Sequence, residues 1–142
     1  MGNDLALAKH LLTTEAHTCV LCREDQIYTS TCRGVAPLLN WLDSGTDLRD
    51  FSAADRVIGK ATAYLYCLLG VKEVFARVMS KPAVEVLLSY NIPASYDTLV
   101  DGIENRQKTG PCPMEHATRN CTTPEEALTA VRETLKRLQQ AT

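Results

Sequence analysis

The apolar and polar positions of this chain fall into short blocks that alternate between helical and extended periodicity. Residues 4–14 (DLALAKHLLTT) repeat apolar side chains at Leu5, Ala8, Leu11 and Leu12, which predicts a helix, with Asn3 or Asp4 placed to cap it. Residues 17–22 (HTCVLC) and 27–32 (IYTSTC) are short, apolar and β-branched. The polar turn Arg23-Glu24-Asp25-Gln26 lies between them, so the pair predicts an antiparallel hairpin. Gly34 then breaks the strand. Pro37 suits the first turn of a helix carrying Leu38, Leu39, Trp41 and Leu42. The spacing predicts the clearest helix over 52–69. There Ser52 stands as N-cap, Asp55 as the acid three residues on, and Val57, Ala61, Tyr64, Leu65 and Leu68 as the apolar stripe, with Gly70 as the stop. Residues 71–79 read as a strand, 83–90 as a helix with Pro82 at its first position, and 95–100 as a further strand. Residues 101–123 form a long polar connection. Thr122 or Thr123 then caps a last helix whose apolar face is Leu128, Val131, Leu135 and Leu138.

This order predicts an α/β fold spanning residues 1–142 as one domain. It is a three-layer α/β/α arrangement around a mixed sheet of four to five strands, with an antiparallel hairpin at its N-terminal end. Ligands in such sheets favour the crevice beyond the carboxyl ends of the parallel strands. Composition adds exclusions rather than an activity. The 142 residues carry a net charge of −2, so no overall basic field exists to hold a nucleic acid. The most apolar run, 61–71, is too short to span a bilayer and is interrupted by Thr62 and Gly70, so no membrane partner is expected. The opening Met-Gly-Asn-Asp does not resemble a secretory leader. A cytoplasmic location follows as an expectation. Under it, the six cysteines at 19, 22, 32, 67, 112 and 121 read as reduced thiols.

A hairpin followed by helix, strand and helix resembles the cytidine deaminase superfamily. Its members place H-x-E at the start of one core helix and P-C-x-x-C at the start of the next, and these hold a catalytic zinc. Compared at Ser52-Ala53-Ala54-Asp55-Arg56, this chain has no histidine or cysteine, and Asp55 is the acid nearest the glutamate's place. In Lys81-Pro82-Ala83-Val84-Glu85-Val86 the proline stands in place, but Ala83 and Val86 occupy the cysteine positions. The resemblance therefore implies the fold without the zinc site, and neither a metal nor another cofactor is expected. Four segments resemble more closely a bacterial family with a deaminase-like fold, the domain of unknown function 1893 family. They are Gly34-Val35-Ala36-Pro37-Leu38-Leu39, Ala54-Asp55-Arg56-Val57-Ile58-Gly59-Lys60-Ala61, Leu69-Gly70-Val71-Lys72-Glu73-Val74 and Cys112-Pro113-Met114-Glu115. That family implies a fold and supplies no activity.

Several residues could carry chemistry. Arg33 and Gly34 lie where a strand meets a helix start, a place where free amides attract anions. They read either as an anion site or as a plain turn. Asp55 in a first helical turn is stabilised by the helix dipole with or without a function. Gly59 inside a helix would cost about 1 kcal/mol relative to alanine, which argues for a close neighbour. Lys60 would share a helix face with Arg56, and Ser80 and Lys81 open the next helix. Together Arg33, Gly34, Asp55, Gly59, Lys60, Ser80 and Lys81 form the candidate wall of a crevice for a small anionic ligand, a nucleotide or sugar phosphate, with residues 112–115 as a lid. An alternative is an enzyme in which Cys112, near a helix start made by Pro113, is the nucleophile and His116 or Glu115 its base. A third reading is an interaction module whose partner is a second copy of the chain. Cys112, His116 and Cys121 match no standard zinc spacing. In Cys19-Val20-Leu21-Cys22 the thiols would point to opposite faces of a strand.

Overall fold

A computed structural model describes residues 3–32, 34–105 and 107–140. Its elements run α1 (Asn3–Thr14), β1 (Cys19–Arg23), β2 (Gln26–Ser30), α2 (Ala36–Ser44), β3 (Ser52–Ile58), α3 (Lys60–Leu69), β4 (Glu73–Ser80), α4 (Lys81–Ser89), β5 (Ala94–Val100), α5 (Pro113–Thr118) and α6 (Pro124–Gln140). The five strands form one mixed sheet in the order β2-β1-β3-β4-β5. The pairings β1–β2 and β1–β3 are antiparallel, and β3–β4 and β4–β5 are parallel. The hairpin pairs Arg23 with Gln26 across a two-residue loop, as the polar turn predicts.

One expectation is overturned. Residues 52–69 are not one helix: they are β3, then Gly59, then α3. The reason is burial on both faces. Ala53 packs into the main core while Ala54 packs into a second cluster with Ala8, Leu12, Val20, Cys22 and Phe75 under α1. A strand covered on both sides loses its period-two alternation, and its small residues then read as the start of the helix that follows. Ser52 is accordingly no cap. It lies opposite Glu73 in the sheet, and its hydroxyl donates to the Glu73 carboxylate at 2.6 Å. Asp55 leaves the first turn of a helix for mid-strand, and Lys60 opens α3 instead of sharing a helix face with Arg56. The motif comparison made at 52–56 moves to Lys60-Ala61-Thr62, where no imidazole, thiol or acid stands either.

The main core lies between the other sheet face and α2, α3, α4 and α6. Tyr66, Leu65, Leu38, Phe51, Met79 and Leu87 are fully buried there. Cys19 belongs to this core and Cys22 to the cluster under α1, so the two thiols do face opposite ways. Two helix starts carry side-chain caps, the one at Thr123 as the sequence predicts. Ser80 Oγ accepts from the Ala83 amide at 3.2 Å. Thr123 and Glu126 form a reciprocal box, Glu126 N–H to Thr123 Oγ1 and Thr123 N–H to Glu126 Oε1, each 3.2 Å. The edge strand β5 is exposed over most of its length. Among the described residues no helix is long and apolar enough to cross a membrane.

Because α3 touches the sheet, its neighbouring helices and α6, truncating its fully buried Leu65 to alanine leaves a void that cannot collapse. Leu65→Ala is expected to lower the unfolding free energy by about 2–5 kcal/mol in a urea titration; a loss under about 1 kcal/mol would contradict this packing.

Candidate functional site

At the carboxyl end of β3 the backbone opens into a cavity of about 300 Å³. The start of α2 (Gly34, Val35), the end of β3 (Asp55 to Val57), the start of α3 (Gly59, Ala61, Thr62) and Ile103, Cys112, Met114 and Glu115 line it, and most of its wall is apolar. Two carboxyl groups, Asp55 and Glu115, face this interior, and Arg56 is the one lysine or arginine among the described residues that line it.

Asp55 is a buried acid without a cation. Its residue is only 8% exposed. Its Oδ2 accepts the Tyr66 hydroxyl at 2.7 Å, and its Oδ1 accepts the Val57 amide at 3.4 Å. Cys19 Sγ lies 3.1 Å from the same phenol oxygen; since the single phenol proton goes to Asp55, the thiol is the donor. Burial pushes the Asp55 carboxyl up to about 7, against the pull of these hydrogen bonds. The same burial, with the Asp55 charge beside them, raises the Tyr66 phenol and the Cys19 thiol. The chain Cys19–Tyr66–Asp55 thus runs from the core to the cavity wall and ends on a carboxyl that exchanges its proton near neutrality.

Glu115 reaches the cavity from α5. Its Oε1 accepts the backbone N–H of Lys60 at 2.5 Å, so a carboxylate from a distant segment caps α3. Gly59 makes this approach possible. A Cβ built on it would lie 1.7 Å from Glu115 Oε1 and 3.0 Å from Ile103 Cγ1. Its backbone is extended (φ −99°), so clearance, not conformation, is what requires glycine. The expected close neighbour of Gly59 therefore exists, although the residue sits at a strand-to-helix junction and not inside a helix. Burial raises the Glu115 carboxyl; the Lys60 amide, the Lys60 charge and the Ala61 amide pull it down.

The structure gathers only part of the anticipated crevice. Gly34, Asp55, Gly59, Cys112 and Glu115 all line the cavity. Gly34 has φ +67°, so the turn before α2 needs glycine for its backbone. Arg33 lies outside the described residues. Lys60 turns its side chain away, donating from Nζ to the Arg119 carbonyl at 2.9 Å. Ser80 is buried as the cap of α4, and Lys81 pairs with Asp101 at 2.8 Å. The anion-binding wall is thereby dispersed. Cys112 does stand at the N-cap of α5, but His116 lines a neighbouring cleft and meets Cys112 only through a backbone hydrogen bond of 3.0 Å. Glu115 is engaged by α3. No group of three or more His, Cys, Asp or Glu side chains is placed to hold a metal among the described residues. Tyr66 and Cys19 were not anticipated: in the sequence Tyr66 lies within the predicted helix but outside its apolar stripe, and Cys19 is one thiol of a strand.

Comparison with known proteins rests on this frame. The profile of a domain of unknown function, DUF1893 (TM1506), matches residues 7–135. The chain belongs to the DUF1893 family. The crystal structure of a DUF1893 family protein, TM1506 from Thermotoga maritima, is similar to it over 94% of this chain and 90% of that one, with a TM-score of 0.86 and 22% sequence identity. At that identity the likeness establishes the fold alone, the mixed five-stranded α/β arrangement of the family. No curated protein matches the sequence.

Two outcomes are expected of this site. From pH 3.8 to about 7 the unfolded chain has released the Asp55 proton and the folded chain retains it. This group therefore makes the protein less stable as pH rises through that window, by up to about 1.4 kcal/mol per pH unit, and adds no slope above it. Asp55→Asn should flatten the profile of unfolding free energy against pH measured by urea titration; an unchanged slope would place the proton elsewhere. Gly59→Ala should evict Glu115 and cost about 1–2 kcal/mol, the value of the lost cap. In a Glu115→Ala background the same change should cost far less, and strict additivity in the double-mutant cycle would refute the contact.

Proposed function

We propose that this DUF1893 protein binds a small molecule of the nucleotide or sugar-phosphate class, with the uncharged ring of the ligand in the cavity and its anionic part outside. One observation carries the reading: a mostly apolar cavity lined by two carboxyls, the buried Asp55 and the half-buried Glu115, the first of them exchanging its proton near neutrality. A cavity of this size matches the lower range of ligand pockets and suits a single heterocycle. It lies beyond the carboxyl end of a parallel strand, where ligands of α/β sheets collect. A carboxyl that exchanges its proton near pH 7 is present there in a protonated form that both donates and accepts, so it reads a donor–acceptor edge such as that of a nucleobase. Its ionised form, with Glu115 beside it, disfavours a phosphate in the interior. Likeness to the cytidine deaminases belongs to the same proposal: the cavity takes the place of their zinc pocket, with Asp55 as its acid and no zinc-dependent step.

The use of Cys112 as a nucleophile has less support, since neither His116 nor Glu115 is hydrogen-bonded to its thiol. A thermal-shift screen with adenine, cytosine, their nucleosides and 5′-monophosphates, and ribose 5-phosphate tests the reading. At least one compound should raise the melting temperature at millimolar concentration. Val57→Trp should abolish that rise, because Val57 lines the cavity yet is 42% exposed, leaving room for a larger ring to be accommodated in the fold while it blocks the opening. A flat response across the whole set, or an undiminished shift in the variant, would reject the reading.

A further inference from the structure

A second cleft of about 360 Å³ adjoins the cavity and shares Ile103 and Glu115 with it as a common wall. It holds more basic side chains than the cavity does. Lys60, His116 and Arg119 line it, with Glu85 as the acid besides Glu115 itself. The Lys60 ammonium is held by the Arg119 carbonyl at 2.9 Å, a neutral partner, and its charge also acts on Glu115. The Arg119 guanidinium has no ion-pair or hydrogen-bond partner among the described residues. Three other exposed cations are ion-paired: Lys81 with Asp101, Arg49 with Asp47 and Arg132 with Asp43. The Glu115 carboxylate is directed at the α3 amide, so its charge is partly answered within the wall.

An anion disfavoured by the carboxyls of the cavity thus meets Lys60 and Arg119 on the other side of one side chain. We propose that the cleft of Lys60, His116 and Arg119 is a phosphate subsite. This rests on the cavity reading above and extends it: the ligand is a phosphorylated heterocycle that straddles Glu115, ring in the cavity and phosphate in the cleft. Arg119 presents a planar fork that matches two phosphoryl oxygens, Lys60 adds a point charge, and the His116 ring supplies a further N–H donor. Sequence reasoning placed Lys60 in an anion site but grouped it with Arg33, Ser80 and Lys81. The fold replaces those partners with Arg119 and His116, which lie more than fifty residues away along the chain.

Inorganic phosphate alone is the probe, titrated by calorimetry and phosphorus NMR against the unmodified chain, Arg119→Gln and Val57→Trp. Saturable binding is expected to the unmodified chain and to Val57→Trp, whose block lies in the cavity and not in the cleft. Arg119→Gln should weaken it about tenfold, equivalent to one charge-assisted hydrogen bond at an exposed site. Its melting temperature should be unchanged, because the guanidinium it removes holds nothing else. Non-saturable phosphate, or equal affinity in Arg119→Gln, overturns the subsite. Phosphate bound by both the unmodified chain and Val57→Trp, with no nucleoside bound by either, rejects the cavity reading and retains the subsite. A nucleoside bound with no saturable phosphate does the reverse.

Discussion

The bond between the Glu115 carboxylate and the Lys60 amide, made across the bare Cα of Gly59, is the contact on which the closed architecture depends. Without it α3 would begin with an unsatisfied turn, and the 101–119 segment would have one fewer anchor on the sheet. With it, a long polar stretch becomes a wall. That stretch has its own supports: an isolated bridge between Glu104 and Pro111, the Cys112 amide bonded to the Ile103 carbonyl at 2.9 Å, and the Lys60 ammonium on the Arg119 carbonyl. The Glu115 contact is where these supports meet the helix that fills the core.

Asp55 presents the complementary problem. A carboxyl removed from water without a cation is costly when ionised, and the fold answers this by leaving it protonated over part of the physiological range. Tyr66 makes the arrangement tolerable, since its ring fills the core while its hydroxyl satisfies one carboxyl oxygen. Cys19 in turn satisfies the phenol. Such a chain stabilises less than apolar side chains of the same volume would, which directs attention to the cavity at its end.

Helices with one exposed face, and a hairpin marked by its polar turn, were legible in the sequence. The hairpin, α1, α4 and α6 with its Thr123 cap stand close to where periodicity and capping place them. The long helix over 52–69 failed because β3 is covered twice, so its alternation is hidden. Asp55 was singled out for its place in a helical turn, yet its importance comes from strand burial and from Tyr66, eleven residues on and on another element. Gly59 was flagged for crowding, and crowding is what it relieves; the identity of the neighbour depends on a contact with Glu115, fifty-six residues distant, that no local pattern encodes. Arg119 left no signal at all. It became a candidate only when the fold set it beside Lys60 without a partner.

The edge strand β5 is exposed along nearly its whole length, Tyr96 and Leu99 included. Asp97 stands at the middle of Ala94–Val100. Two such strands docking about a twofold axis at their centre would set one Asp97 directly opposite the other, and facing like charges weaken a strand pair. At this edge of the sheet, symmetric strand pairing about the centre of β5 therefore carries a charge penalty.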